Sequence, residues 1–182
     1  EVRKRTTPST GFITAYDKSV HGFALHNKNN GDVAGCIDCH TPHAIIKGSD
    51  SRSSVFKLNI PNTCGKCHSD IQKEFSESIH GQLVAKGNGD APSCTNCHGE
   101  HNILNIKDPN APVAFQNVSS QVCSPCHESM KLSEKYGLSA NRYKTFSTSY
   151  HGLALSGGSA SVANCGSCHG VHNIKPSSDP TS

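Results

Sequence analysis

Apolar residues recur at every fourth position in three stretches of the chain. These positions are Phe12, Tyr16 and Val20, then Ile71, Phe75 and Ile79, and finally Phe146 and Tyr150. Residues spaced by four lie on one face of an α-helix, so each stretch predicts a short amphipathic helix. A His-Gly pair closes each stretch, and glycine suits the left-handed position just past a helix end. The histidine is therefore predicted to project from the last helical turn.

Polar and turn-forming residues separate these stretches. Residues 27–35 and 107–112 are examples, rich in Asn, Gly and Pro. We therefore expect a mainly irregular fold with short α-helices and little or no β-sheet. No run of 18 apolar residues occurs, so the sequence predicts no membrane span.

The apolar content is low for a globular domain. Only 34% of the 182 residues are apolar, and tryptophan is absent. Even with the 16 glycines added, the chain stays below the about 45–50% that is typical of soluble domains. Few large side chains remain to build a core from protein alone. Another source of apolar surface is therefore expected.

All ten cysteines belong to one five-residue motif, C-x-x-C-H. Its five copies, called motifs 1 to 5, contain Cys36 and Cys39, Cys64 and Cys67, Cys94 and Cys97, Cys123 and Cys126, and Cys165 and Cys168. The motif attaches c-type haem: both thiols add to porphyrin vinyl groups, and the adjacent histidine becomes an axial iron ligand. The predicted proximal ligands are His40, His68, His98, His127 and His169. The sequence thus predicts five covalent haems, with the haem chain as the core of the fold.

Other cysteine chemistries do not explain this pattern. Structural zinc sites take four ligands per ion, and ten cysteines do not divide into sets of four. Zinc also gives no reason for a histidine after every second cysteine. A redox C-x-x-C site requires a thioredoxin-like βαβ pattern, which the sequence lacks. We therefore interpret all ten cysteines as haem attachment sites.

A longer repeat surrounds motifs 1, 3 and 5. Each is preceded by an aromatic-x-x-S-x-H-G segment, which contains His21, His80 or His151. Each continues as C-x-x-C-H-x-x-H, which adds His43, His101 or His172. Motifs 2 and 4 lack both additions. The organisation is A-B-A-B-A without long linkers, which predicts a single pentahaem domain over residues 1–182.

Seven histidines remain as second axial ligands, and five bis-histidine haems need five of them. They are His21, His26, His43, His80, His101, His151 and His172. His43 lies one helical turn after His40, so it should bind a neighbouring haem rather than its own. We expect the S-x-H-G histidines to serve motifs 1, 3 and 5, and His43 and His101 to serve motifs 2 and 4. The reverse pairing, with the S-x-H-G histidine serving the preceding haem, stays open.

This assignment leaves His172 without a haem. The residues that follow it, 173–180, repeat the pattern of residues 102–109, after which a further motif occurs in the earlier copy. The sequence is a fragment, His172 binds a haem in another subunit, or His172 is a surface histidine without a ligand role.

Charge and location bear on the possible partners. The formal net charge of +3 omits the haems, and five haems would add about ten propionate charges, so no nucleic-acid partner is expected. The chain begins at Glu1 without an initiator methionine or an apolar leader, as expected of a processed secreted protein. Haem of this type is attached outside the cytoplasm. We expect an extracellular or cell-surface location, with the periplasm as the alternative.

The order S-x-H-G then C-x-x-C-H-x-x-H, at residues 19–43, 78–101 and 149–172, resembles the secreted multihaem c-type cytochromes of electron-transferring bacteria and archaea. The resemblance implies bis-histidine haems in a continuous chain and electron relay to a redox protein or an extracellular acceptor. The group includes extracellular cytochromes that polymerise into filaments, in which a histidine of one subunit ligates a haem of the next. The resemblance suggests that role for His172 or His26, and hence a homopolymer. A soluble periplasmic pentahaem carrier that feeds a reductase is the alternative.

A multihaem reductase is the competing class of protein. Such an enzyme needs one haem with an open axial position, whereas twelve histidines exceed the ten axial positions of five haems. No paired carboxylates with a diagnostic spacing occur either. We therefore expect electron transfer, no catalytic residues and low-spin iron in all five haems.

Overall fold

The computed structural model describes residues 8–27, 32–176 and 178–181. Within these ranges the chain forms short helices and no β-strand, which confirms the expected fold class. The helices are α1 (Pro8–Asp17), α2 (Val20–Asn27), α3 (Cys36–His40), α4 (Ile60–Gly65), α5 (Ser69–Glu77), α6 (Ile79–Ala85), α7 (Cys94–His98), a π-helical turn (Val118–Cys123), α8 (Ser124–His127), α9 (Met130–Tyr136), α10 (Arg142–Ser147), α11 (Tyr150–Ser156) and α12 (Cys165–His169). None of the helices described is long and apolar enough to cross a membrane.

Protein side chains alone bury little apolar surface in the described part of the chain. The buried apolar residues are Ile60, Val84, Ala91, Ala111, Ala114 and Leu155. The largest side chains that are fully buried are serines, whereas Ile13, Phe23 and Tyr150 are more than half exposed. This distribution agrees with a core that is built around cofactors.

Each predicted amphipathic helix is in fact two helices that meet at a serine. Ser19 lies between α1 and α2, Ser78 between α5 and α6, and Ser149 between α10 and α11. In each copy the serine hydroxyl accepts a hydrogen bond from the N–H group of the S-x-H-G glycine, over 3.0–3.3 Å. This is the N-cap arrangement that begins a helix. The prediction that the histidine ends a helix was wrong, because it lies in the first turn of the following one.

The glycine of each S-x-H-G segment is required by a close approach and not by a left-handed backbone. Positive φ angles occur at other glycines. A Cβ atom on Gly81 would overlap the carbonyl oxygen of Phe75, at the end of the preceding helix, and the other two copies show the same overlap. Glycine therefore allows the first turn of the second helix to sit directly against the last turn of the first.

Motifs 1, 3 and 5 form α3, α7 and α12, and these three helices begin with equivalent N-cap arrangements. In α7, the Asn96 side chain accepts a hydrogen bond of 2.9 Å from the N–H group of Ser93, and equivalent bonds begin α3 and α12. Each helix ends at its histidine, and the next residue has a φ angle between 66° and 82°. The chain turns there, so the predicted position of His43 one helical turn beyond His40 was wrong.

Motifs 2 and 4 each follow a loop. In both loops an asparagine at an equivalent position donates hydrogen bonds to backbone carbonyls. The Asn59 side chain donates hydrogen bonds of 2.8 Å to the carbonyls of Ser51 and Ser53. Asn117 donates in the same way to two carbonyls of the second loop, at 2.7 and 2.9 Å. Each loop is thereby fixed just before its motif.

Candidate haem-binding sites

Four of the five proximal histidines face a second histidine ring. The ring centroids are 5.9 Å apart for His40 and His101, 6.3 Å for His68 and His21, 6.1 Å for His98 and His172, and 6.2 Å for His127 and His80. Each pair joins one predicted proximal ligand to one predicted distal ligand. The structure therefore brings eight of the twelve histidines together in four similar sites.

The separation of the rings suits an iron ion between them. A metal–imidazole bond of about 2.0 Å, with roughly 1.1 Å more from the nitrogen to the ring centre, places two trans rings about 6.2 Å apart. The cysteines of each motif lie beside the proximal histidine, within one or two helical turns. Two thiols for attachment and one imidazole for each face are the donor set of a bis-histidine haem c. When bound, the haem supplies a one-electron iron couple.

The pairing expected from sequence spacing was wrong. His21 faces motif 2 rather than motif 1, and His80 faces motif 4 rather than motif 3. His101 faces motif 1, not motif 4. The reverse pairing is not observed either, because each paired S-x-H-G histidine faces the second motif downstream. Spacing failed because a new helix begins at each S-x-H-G serine, which redirects the ring that follows.

His172 is not the unmatched histidine that the sequence suggested, whereas His26 faces no proximal histidine among the described residues. His172 faces motif 3 of its own chain, and the Glu74 carboxylate lies 3.9 Å from its Nδ1 atom. His26 is exposed, and its Nε2 atom lies 3.1 Å from a carboxylate oxygen of Asp17. The expectation that His172 reaches another subunit therefore loses its basis, and that for His26 stays a prediction.

Motif 5 is the exception among the five. His169 is exposed, and no described histidine forms a ring pair with it. His43 and His151 are exposed as well, and in the described ranges neither faces a proximal histidine. The ring of His151 instead contacts Tyr150, with centroids 5.8 Å apart. The structure therefore does not show the expected pairing of His151 with the motif 5 histidine or of His43 with the motif 2 histidine.

Burial favours the neutral form of four paired histidines, His21, His80, His98 and His127. It lowers the pKa of His80 to about 4, with a further contribution from the neighbouring His127. It also lowers the pKa of His21 and His98, each of which lies near another proximal or distal histidine. Iron binds the neutral imidazole, so burial and ligation favour the same protonation state.

Attachment cysteines of successive motifs are neighbours in space. A hydrogen bond to Cys94, together with burial, raises the pKa of the Cys64 thiol. A hydrogen bond to Cys165 and burial do the same for Cys123. Electrostatic coupling identifies the remaining neighbours, which are Cys39 with Cys64 and Cys97 with Cys126. The helices of motifs 1 and 2, of motifs 2 and 3, and of motifs 4 and 5 also pack against each other, so successive motifs lie near one another.

The four ring pairs are of two kinds. At motifs 1 and 3 the planes are nearly parallel, with interplanar angles of 8° and 18°. At motifs 2 and 4 they are inclined by 43° and 54°. The parallel pairs take their distal ring from a C-x-x-C-H-x-x-H segment, and the inclined pairs take theirs from an S-x-H-G segment. The A and B modules therefore build different sites.

Backbone contacts that join the modules were missed in the sequence. The N–H group of Val20 donates to the carbonyl of Ile103, and that of Ile79 donates to the carbonyl of Ile174, both over 2.8 Å. The acceptor is the second residue after the distal histidine in both cases. The repeated Asn-Ile that follows His101 and His172 was the available signal.

Part of the chain matches a known family. Residues 26–73, which contain motifs 1 and 2, match the family described as a doubled CXXCH motif. The motifs indicate covalently bound c-type haem. The match supports a multihaem c-type cytochrome-like protein with a role in electron transfer. No curated protein and no solved structure matches the chain.

Proposed function

We propose that the chain binds five covalent c-type haems and transfers electrons along them, as a unit of an extracellular conduit. The observation that best supports this is the packing of helices that carry successive motifs: α3 contacts α4, α4 contacts α7, and the π-helical turn contacts α12. Electrons pass readily only between cofactors that nearly touch. Attachment cysteines that lie near each other across motifs, as Cys64 and Cys94 do, would hold successive haems close together.

The histidines have a separate task in this proposal. His40 and His101 would hold the iron of a bound haem from both faces and would leave no place for a substrate. Such sites accept and release electrons without bond-making chemistry, which is why we assign no catalytic residue.

The resemblance to secreted multihaem cytochromes supports an extracellular or cell-surface location, with a redox protein or an external acceptor as partner. A periplasmic carrier would use the same series of sites within a single chain. No described residue places a ring opposite His169. A periplasmic carrier would complete motif 5 within one chain, whereas a unit of an extracellular conduit need not.

A reductase is the second candidate, and motif 5 is the observation that favours it. A haem with His169 on one face only would offer an open iron position to a small substrate. Carbon monoxide binds to reduced haem iron that has such a position. Stoichiometric binding of carbon monoxide to the native protein, in the state in which it is isolated from cells, would favour the enzyme.

The proposal is tested by counting haems and electrons in the same sample. Intact-mass spectrometry should give the mass of the chain with five haems, and a reductive titration should consume five electrons per chain and reverse on oxidation. The Cys165→Ala/Cys168→Ala variant is the matched control, which should lose one haem and one electron. A haem count below five in the wild-type protein, or irreversible reduction, would contradict the proposal.

A further inference from the structure

The sites at motifs 1 and 3, called the A-type sites, have the same ligands in nearly the same arrangement. Their rings come from successive repeats of the chain, which are repeat 1 (residues 8–68), repeat 2 (69–139) and repeat 3 (140–181). At motif 1, His101 of repeat 2 faces His40 of repeat 1, with centroids 5.9 Å apart and planes inclined by 8°. At motif 3, His172 of repeat 3 faces His98 of repeat 2 at 6.1 Å and 18°. In each case the later repeat supplies the distal ring.

The backbone beside the two distal rings is equivalent as well. The N–H group of Val20 donates to the carbonyl of Ile103, and that of Ile79 donates to the carbonyl of Ile174, both over 2.8 Å. Each bond joins the segment after a distal histidine to the helix pair of the preceding repeat. Because ligands and backbone agree, the two sites can be compared by the side chains that lie next to the distal ring.

The side chain next to the distal ring is uncharged at motif 1 and charged at motif 3. The ring of Phe12 packs against His101, with centroids 4.7 Å apart. At motif 3, the Oε2 atom of Glu74 lies 3.9 Å from the Nδ1 atom of His172. Counted from the S-x-H-G serine, the position of Glu74 is occupied in repeat 1 by Ala15. In the described part of the chain, a carboxylate therefore contacts the distal ligand at motif 3 but not at motif 1.

The carboxylate of Glu74 has no cation beside it that would cancel its charge. Among the described residues, the ion pairs that involve lysine or arginine lie elsewhere, at Asp50 and Asp90. The side chain of Glu74 is 56% exposed, and an exposed carboxyl group is ionised at neutral pH. The negative charge next to His172 is therefore uncompensated.

Both effects of this carboxylate on a bound haem have the same sign. Nδ1 is the ring nitrogen that stays free when iron binds Nε2, and a carboxylate beside it makes the imidazole a stronger donor. Ferric iron carries one positive charge more than ferrous iron, so a nearby negative charge also favours the ferric form. Addition of one electron from a reduced partner protein would remove that extra positive charge. The carboxylate therefore opposes reduction.

We infer that Glu74 lowers the reduction potential of the haem at motif 3 and makes it harder to reduce than the haem at motif 1. The inference rests on the proposed function, because it orders two haems of the proposed relay. Groups next to a histidine ligand change metal affinity by about 10–100-fold, and the exposure of Glu74 places its effect at the low end. We expect a factor of about ten, which corresponds to about 59 mV for a one-electron couple. An electron would then reside about ten times as often at motif 1 as at motif 3.

The test follows the two A-type haems of the haem-loaded chain by electron paramagnetic resonance during stepwise reduction at controlled potential. Their ring pairs are nearly parallel, so both haems should give the same kind of low-spin ferric signal. The Cys36→Ala/Cys39→Ala background removes the motif 1 haem and leaves this signal to motif 3. The Cys94→Ala/Cys97→Ala background does the reverse. The potential of each A-type haem is thereby measured separately.

Three substitutions of single charges then test the role of Glu74. Glu74→Gln removes the charge at nearly constant size and should make the motif 3 haem about tenfold easier to reduce, without effect at motif 1. Ala15→Glu places a carboxylate at the equivalent position of repeat 1 and should make the motif 1 haem harder to reduce by a similar factor. Glu134→Gln is the matched control. It removes an exposed carboxylate of α9 that forms no ion pair with a described histidine, and it should change neither potential.

The inference is overturned if Glu74→Gln leaves the motif 3 potential unchanged or lowers it, or if Glu134→Gln raises it equally. It is also overturned if Glu74→Gln converts the motif 3 haem to high spin, because Glu74 would then hold His172 in place rather than act through its charge. Haem count and reversible reduction in the same samples separate the two proposals. Five haems with reversible reduction and an unchanged motif 3 potential refute only the role of Glu74, whereas fewer haems refute the proposed function.

Discussion

Replacement of His80 by alanine tests the pairing of the ligands most directly. His80 lies half-buried in the first turn of α6, 6.2 Å from His127 between ring centroids. Its loss should leave one face of the motif 4 haem without a protein ligand, while the other three paired sites keep both of theirs. With five haems bound, one-fifth of the ferric iron should change from low to high spin. Each chain should also gain one position for carbon monoxide.

Electron paramagnetic resonance measures the high-spin fraction, and a second pair of substitutions identifies the haem. In a Cys123→Ala/Cys126→Ala background, which removes the motif 4 haem, His80→Ala should produce no additional high-spin signal. In the Cys94→Ala/Cys97→Ala background the signal should persist. The opposite result would assign His80 to motif 3, as spacing alone suggested, and would refute the geometric pairing. His26→Ala is the control, because the exposed contact of His26 with Asp17 contributes no ligand.

Three further outcomes follow from the same geometry. The ferric spectrum should contain two low-spin populations of similar size from the four paired sites, because two ring pairs are nearly parallel and two are inclined by 43° and 54°; a single population would contradict this. Gly81→Ala should destabilise the protein by about 3 kcal/mol through overlap with the carbonyl of Phe75, whereas Gly89→Ala, in open space, should change the melting temperature little. Ser78→Ala removes an N-cap and should cost about 1 kcal/mol in thermal unfolding, and an equal cost for the exposed Ser76→Ala would show that the cap is unimportant.

Attachment and proximal ligands could be predicted because they depend on local spacing. The two cysteines and the histidine of each motif lie within five residues, so neither the course of the chain nor its contacts affects the assignment. The absence of strands in the described residues was also predictable, since short apolar repeats separated by turn-forming residues favour short helices. The small core of buried apolar side chains was predictable as well, because the chain has few apolar residues that could form one.

The distal pairing could not be predicted from spacing because it depends on contacts between repeats. His101 faces motif 1 after the chain turns at the end of α7, and the hydrogen bond from Val20 to the carbonyl of Ile103 accompanies that contact. In the sequence, the glycine after the histidine suggested the end of a helix. The serine of S-x-H-G was therefore assigned to the last part of that helix. Recognition of Ser78 as an N-cap would have placed His80 at the start of a helix.

The sharing of ligands between repeats sets the order in which the protein can be completed. His40 is synthesised long before His101, and His98 long before His172, so each A-type site begins with one axial ligand and waits for the next repeat. The second face of such a site closes only when the following repeat folds against it, so neighbouring repeats cannot be completed independently. Damage to a later repeat should therefore also open the A-type site of the repeat before it.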